Sequence, residues 1–143
     1  MSNFVERLSE LIWENEKNAK TLGEELGCGN STISHYLTDR HLPTVEMAVK
    51  LADYFKCSVD FLIGIKDEGE NVVCKPCPPF CERLPALCKE LKTSRYAIEK
   101  KTGISESCLR YWSQGKTTPS LLNIVKIAEK YNVSVDFVLG RES

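Results

Sequence analysis

The chain has 143 residues, 42% of them hydrophobic and 27% charged, with a formal net charge of -1. That is the composition of an ordinary globular protein, and no apolar run approaches the ~20 residues that a membrane-spanning helix requires. The opening residues, MSNFVERLSE, lack the basic-then-apolar order of a secretory signal, so the expected setting is the cytoplasm, with no membrane contact.

Taken in order, the spacing of apolar residues predicts helices near 3–15, 19–26, 30–38, 45–55 and 59–63, with Asn18, Gly29, Thr44 and Ser58 at their N-terminal caps. Leu8, Leu11, Leu22, Leu26, Ile33, Tyr36, Val49, Leu51, Ala52, Phe55, Phe61 and Leu62 keep helical spacing and form the predicted core. Trp13 falls outside that pattern and is a candidate contact surface, or a singly exposed side chain.

Residues 67–79 have no helical period and are rich in charge, Gly and Pro, which marks a linker between a domain at 1–66 and another at 80–143. Cys74, Cys77 and Cys81 make C-x2-C-x3-C across the linker and into the helix after it. The spacing suits zinc if a fourth ligand such as His35 or His41 is supplied, and equally suits a Cys74–Cys77 disulfide or unpaired thiols. No cofactor is expected.

Sliding the chain by 76 positions aligns Phe4–Ile65 with Phe80–Arg141 without a gap. Phe4/Phe80, Arg7/Arg83, Leu8/Leu84, Leu11/Leu87, Gly27/Gly103, Pro43/Pro119, Ala52/Ala128 and Ser58-Val59-Asp60-Phe61/Ser134-Val135-Asp136-Phe137 coincide. One all-helical unit is therefore present twice. Cys28, Cys57 and Cys88 align with Ile104, Val133 and Ile12 and are expected to act as small core hydrophobes, whereas Cys108 aligns with Thr32 at a helix edge. Domains of ~60 residues bury only ~60% of their unfolded surface, which leaves a place for contacts between repeats or between chains, as in a homodimer.

The second unit is the more informative. In TSRYAIEKKTGISESCLRYWSQGKTTP, Ser94 opens a short helix that Gly103 ends, and Ser105 opens another that stops at Gly115 and Pro119. Leu109 and Trp112 share one side of that second helix, while Ser107, Arg110, Tyr111 and Gln114 project from the other, turned away at about 100° per residue. Two short helices about a glycine turn make a helix-turn-helix, whose second helix offers its outer face to base edges. The run GISESCLRYWSQGKTTPS, with NIVKIAEKYNVSVDFVLG behind it, resembles the Cro/lambda-repressor-type (XRE) family. The resemblance covers almost the whole chain and implies two tandem five-helix, lambda-repressor-like domains, all-α, binding double-stranded DNA as a repressor-like transcriptional regulator.

On that reading Arg95 and Lys116 engage phosphates, while Glu106, Ser107, Arg110, Tyr111 and Gln114 face the bases. Repeat 1 offers Asn30, Ser31, Ser34, His35 and Thr38 at the matching positions. Both repeats depart from the family in lacking its frequent Gln at the start of the second helix, where this chain has Ala19 and Arg95. Residues 1–66 hold 7 Lys/Arg against 10 Asp/Glu, and residues 80–143 hold 11 against 7, so repeat 2 has the charge suited to DNA. The alternative is a protein-interaction or dimerisation module on the same scaffold, in which the polar faces are merely solvated. No Gly-rich phosphate loop, HExxH or nucleophile elbow is present, so catalysis is not expected. The 14 residues from Lys66 to Pro79 can extend to ~46–50 Å, enough to join half-sites ~34–36 Å apart.

Overall fold

A computed structural model describes residues 3–39, 42–65 and 76–141. They form two compact units, one in each half of the chain. The expected linker up to position 75, with Cys74, and also His41, lie outside the described residues.

The first unit consists of α1 (Asn3–Glu14), α2 (Ala19–Leu26), α3 (Asn30–Asp39), α4 (Val45–Phe55) and α5 (Val59–Leu62). The second repeats the order as α6 (Phe80–Glu90), α7 (Arg95–Thr102), α8 (Glu106–Gln114), α9 (Leu121–Tyr131) and α10 (Val135–Leu139). The architecture is all-α. Asn18, Thr44 and Ser58 accept from the amides of Thr21, Met47 and Phe61, and Ser94, Ser105, Ser120 and Ser134 do the same in the second unit. Each such cap satisfies an orphan amide and contributes about 1 kcal/mol.

The repeat extends to backbone strain. Left-handed φ recurs at Glu16 and Lys92 (54° and 53°) and at Lys56 and Asn132 (54° and 55°), all without glycine. Asn tolerates this conformation well, whereas Lys56 adopts it at a cost offset by the amide bonds that close α4 onto Ala52 and Asp53.

Eight of the predicted core residues are buried in the first unit, joined by Phe4, Ile12, Ala48, Cys57, Val59 and Ile63. Leu26, Tyr36, Val49 and Phe55 are only half-buried. Phe4 meets Tyr36 edge to face with ring centroids 6.0 Å apart, and Phe80 meets Trp112 in the same way at 5.9 Å. Arg7 and Arg83 also repeat: each guanidinium lies over a ring, Phe61 at 3.8 Å and Phe137 at 5.3 Å, and donates to backbone carbonyls of the last helix of its unit. These cationic side chains are thus structural ties between the first and fifth helices, and do not belong to the charge available for a ligand.

The two units differ at one end of their second helices. In the first, Lys17 pairs with Glu25 at 3.1 Å and Tyr54 donates to the same carboxylate, so Glu25 is held below its ordinary pKa, first by Tyr54 and then by Lys17. In the second, Thr93 bonds Tyr131 at 2.7 Å and the Lys101 ammonium lies 4.6 Å from the centre of that ring. The second unit adds a buried ion pair between Asp136 and Arg141, both about 99% covered. Ile65 stands where Arg141 would in the first unit.

Candidate nucleic-acid interface

The turn between α7 and α8 is fixed by three local devices. Gly103 takes φ 79°, where a side chain would be strained, and its amide closes α7 onto Glu99. The Thr102 hydroxyl donates to the Ile98 carbonyl at 2.6 Å and accepts from the Ile104 amide at 3.2 Å, while Ile104 is buried as a plug beneath the turn. Ser105 then caps α8 through the Cys108 amide.

One side of α8 is sealed in the core, with Leu109 and Trp112 at 0% and 3% exposure. The other carries Ser107, Arg110, Tyr111 and Gln114, all exposed, followed by exposed Lys116. These side chains are not independent. Arg110 pairs with Glu106 one turn earlier at 3.6 Å, and the Arg110 and Lys116 cationic groups lie 5.4 and 5.7 Å from the centre of the Tyr111 ring. Exposed pairs and cation–π contacts of this kind contribute about 0–1 kcal/mol each, so they bias side-chain directions without locking them. Glu106, placed by the sequence among the base-facing residues, is engaged with Arg110 in the free protein.

Arg95, at the start of α7, donates to the Ser113 hydroxyl at 3.1 Å, and Ser113 in turn donates to the Arg110 carbonyl at 2.8 Å. Seen from the sequence alone, Ser113 carried no signal, since the two ends of this link are 18 residues apart on different helices. Tyr96, exposed beside Arg95 with the Lys100 ammonium 5.3 Å from its ring centre, is a further side chain that periodicity did not single out. An exposed aromatic in the first turn of α7 was the signal available.

Residues 30–39 of α3 include no arginine or lysine, and Arg40, the counterpart of Lys116, lies outside the described residues. Ser31, His35 and Thr38 are exposed and Ser34 is half-buried, with Thr38 donating to the Ser34 carbonyl at 2.8 Å; the Asn30 side chain lies outside the described residues. Ala19 occupies the position of Arg95 and Leu37 that of Ser113.

The thiols depart in part from expectation. Cys57 is buried as read, but Cys28 and Cys88 are half-buried, although their counterparts Ile104 and Ile12 are buried. Burial pushes the Cys88 thiol up, against the opposing pull of the nearby Arg95 charge. Cys77 donates to the Pro78 and Leu139 carbonyls, Cys81 lies 3.7 Å from the space a side chain on Gly115 would take, and Cys108 is exposed. Among the described residues, no three His, Cys, Asp or Glu side chains are grouped to hold a metal ion, and no helix is long and apolar enough to cross a membrane.

A family profile described as helix-turn-helix matches the chain twice, over residues 14–62 and 86–138. An uncharacterized HTH-type transcriptional regulator of Bacillus subtilis (strain 168), YobD, is 34% identical over 61 residues, 43% of this chain and 54% of that protein. The matched segment therefore spans about half the length of this relative. No solved structure is a significant match.

Proposed function

From the membership of this chain in the helix-turn-helix family, whose profile covers most of both repeats, we propose that it is a sequence-specific duplex-DNA-binding transcriptional regulator of repressor type, reading DNA chiefly through repeat 2. The observation that carries this reading is α8, where a buried Leu109–Trp112 side supports an exposed side of Arg110, Tyr111 and Gln114 flanked by Lys116. Arg110 supplies a bidentate donor suited to guanine, Gln114 an amide suited to adenine, and Lys116 a phosphate contact beside them. Repeat 1, with an acidic balance and Ser34 where repeat 2 has Arg110, keeps a cation at the matching positions only at Arg40, the counterpart of Lys116, and contributes little to base reading.

A second reading for repeat 1 has its own support. Trp13 is 81% exposed, and Glu6, Glu10, Glu14 and Glu16 are exposed on and just after the same helix. That surface suits association with another protein rather than with a polyanion, including a second copy of the chain in a homodimer.

The test is selection of bound sequences from random duplexes with the full chain and with two variants. Arg110→Ala should lose preference at one base position and about 1–3 kcal/mol on the selected site, whereas His35→Ala should keep the wild-type preference. The reverse pattern would transfer the reading role to repeat 1, and a wild-type chain without any preferred duplex would overturn the DNA reading.

A further inference from the structure

We propose that Arg95 and Ser113 form a brace that couples engagement of the DNA backbone to the placement of α8, making Ser113 a positioning residue for base discrimination. The inference rests on the DNA reading of repeat 2 given above.

The hydrogen-bond inventory defines the brace. A serine hydroxyl has one proton and two acceptor sites. The Ser113 proton goes to the Arg110 carbonyl at 2.8 Å, so the oxygen faces Arg95 as an acceptor and receives Nη1–H at 3.1 Å. The guanidinium has five N–H donors in a rigid plane, and one bond to Ser113 leaves the others for an anion. A phosphate oxygen and Ser113 can therefore be held by the same side chain at once. The chain of contacts runs from the first residue of α7 to the backbone of Arg110, the residue placed to read a base. Phosphate contacts fix register and base contacts specify sequence, and the brace joins these two tasks in one path.

The internal repeat supplies an independent comparison. Repeat 1 lacks both ends of the path: Ala19 replaces Arg95, and Leu37, half-buried, replaces Ser113. The boundaries and N-caps of α2 and α7 coincide under the repeat alignment, so the fold does not need this link. Its presence only in the repeat that carries Arg110, where repeat 1 has Ser34, fits a role in ligand engagement.

Full-length wild type, Ser113→Ala, Ser113→Thr, Arg95→Ala and the Arg95→Ala/Ser113→Ala double variant are compared on the selected duplex and on a scrambled duplex over a range of salt. Ser113→Ala should leave scrambled-duplex affinity and the salt slope unchanged, because no charge is removed, while the selected-over-scrambled ratio falls about threefold to tenfold, the scale of one hydrogen bond. Ser113→Thr, which keeps the hydroxyl, should restore the ratio. Arg95→Ala should flatten the salt slope by about 0.9, and in that background Ser113→Ala should change the ratio no further. An unchanged ratio in Ser113→Ala, or effects of the two substitutions that simply multiply, would overturn the brace while leaving the DNA reading intact. Failure of the wild type to bind either duplex at low salt would overturn both.

Discussion

The Phe80 ring meets the Trp112 indole edge to face at 5.9 Å, and through that contact the first helix of the second unit holds the buried side of α8. The outward side chains of α8 inherit their direction from this packing, since the helix cannot rotate without breaking it.

Replacing Trp112 by Ala should therefore remove the interface by removing the fold. Loss of a buried aromatic costs about 3–5 kcal/mol, a large part of the stability of a domain this small. Calorimetry of the full chain should lose the transition of repeat 2 and keep that of repeat 1. Retention of both transitions would mean that α8 is held by other contacts.

Lys116 follows the left-handed Gly115 at the exit of α8 and reaches Tyr111 from solvent. With one phosphate contact removed, Lys116→Ala should weaken binding to all duplexes alike and reduce the slope of log K against log salt by about 0.9. Thermal stability should move by no more than about 0.5 kcal/mol, as for other surface substitutions. Measurement of affinity across salt concentrations separates this from a loss of base reading.

The buried Asp136–Arg141 pair makes a different demand. Arg141→Met removes one partner from a site where both are covered, which should cost about 3–5 kcal/mol. Replacing both, as Asp136→Leu with Arg141→Met, should lie nearer wild type because neither member of the pair is then left buried without its partner. Denaturant midpoints for the two variants check the order; a double variant that is the weaker of the two would show the pair to be net stabilising.

Acid should affect the first unit through Glu25. Its pKa is lowered in the folded state, so its contribution is present above the ordinary carboxylate range and is lost as pH falls through the depressed folded value. Lys17 is raised by the same contact, so its contribution is present below the ordinary ammonium range and is lost as pH rises through the raised value. Glu25→Gln should then be less stable than wild type between those limits, by a small amount since neither group is buried, and the difference should vanish in acid. Thermal midpoints measured across pH test this.

The helices, the caps Asn18, Thr44 and Ser58, and most of the core were legible because a duplicated chain carries its own comparison. Agreement of Ser58-Val59-Asp60-Phe61 with Ser134-Val135-Asp136-Phe137 locates both fifth helices at once. The same comparison misled at Cys28 and Cys88, where an apolar counterpart implied full burial. Equivalent positions share a backbone, but exposure also depends on neighbours that differ: Cys88 lies near Arg95, whose counterpart in the first unit is Ala19. Of the candidate interface, the outward face of α8 followed from helical period alone. Pairing of Glu106 with Arg110 is a four-residue spacing and was readable in principle. The Arg95–Ser113 link was not, because it depends on how two helices cross, which periodicity within either helix does not encode.

Each unit contains one of the two tryptophans, Trp13 at 81% exposure and Trp112 at 3%. Their emission should differ accordingly, with Trp112 shifted to shorter wavelength and shielded from aqueous quenchers, and Trp13 emitting at longer wavelength and readily quenched by caesium ions, which the glutamates of α1 attract. Unfolding of repeat 2 then produces a red shift, whereas unfolding of repeat 1 scarcely moves the spectrum. The chain thus carries two intrinsic fluorophores that distinguish its halves without any label, and a ligand that approaches α1 would reveal itself by protecting only the quenchable component.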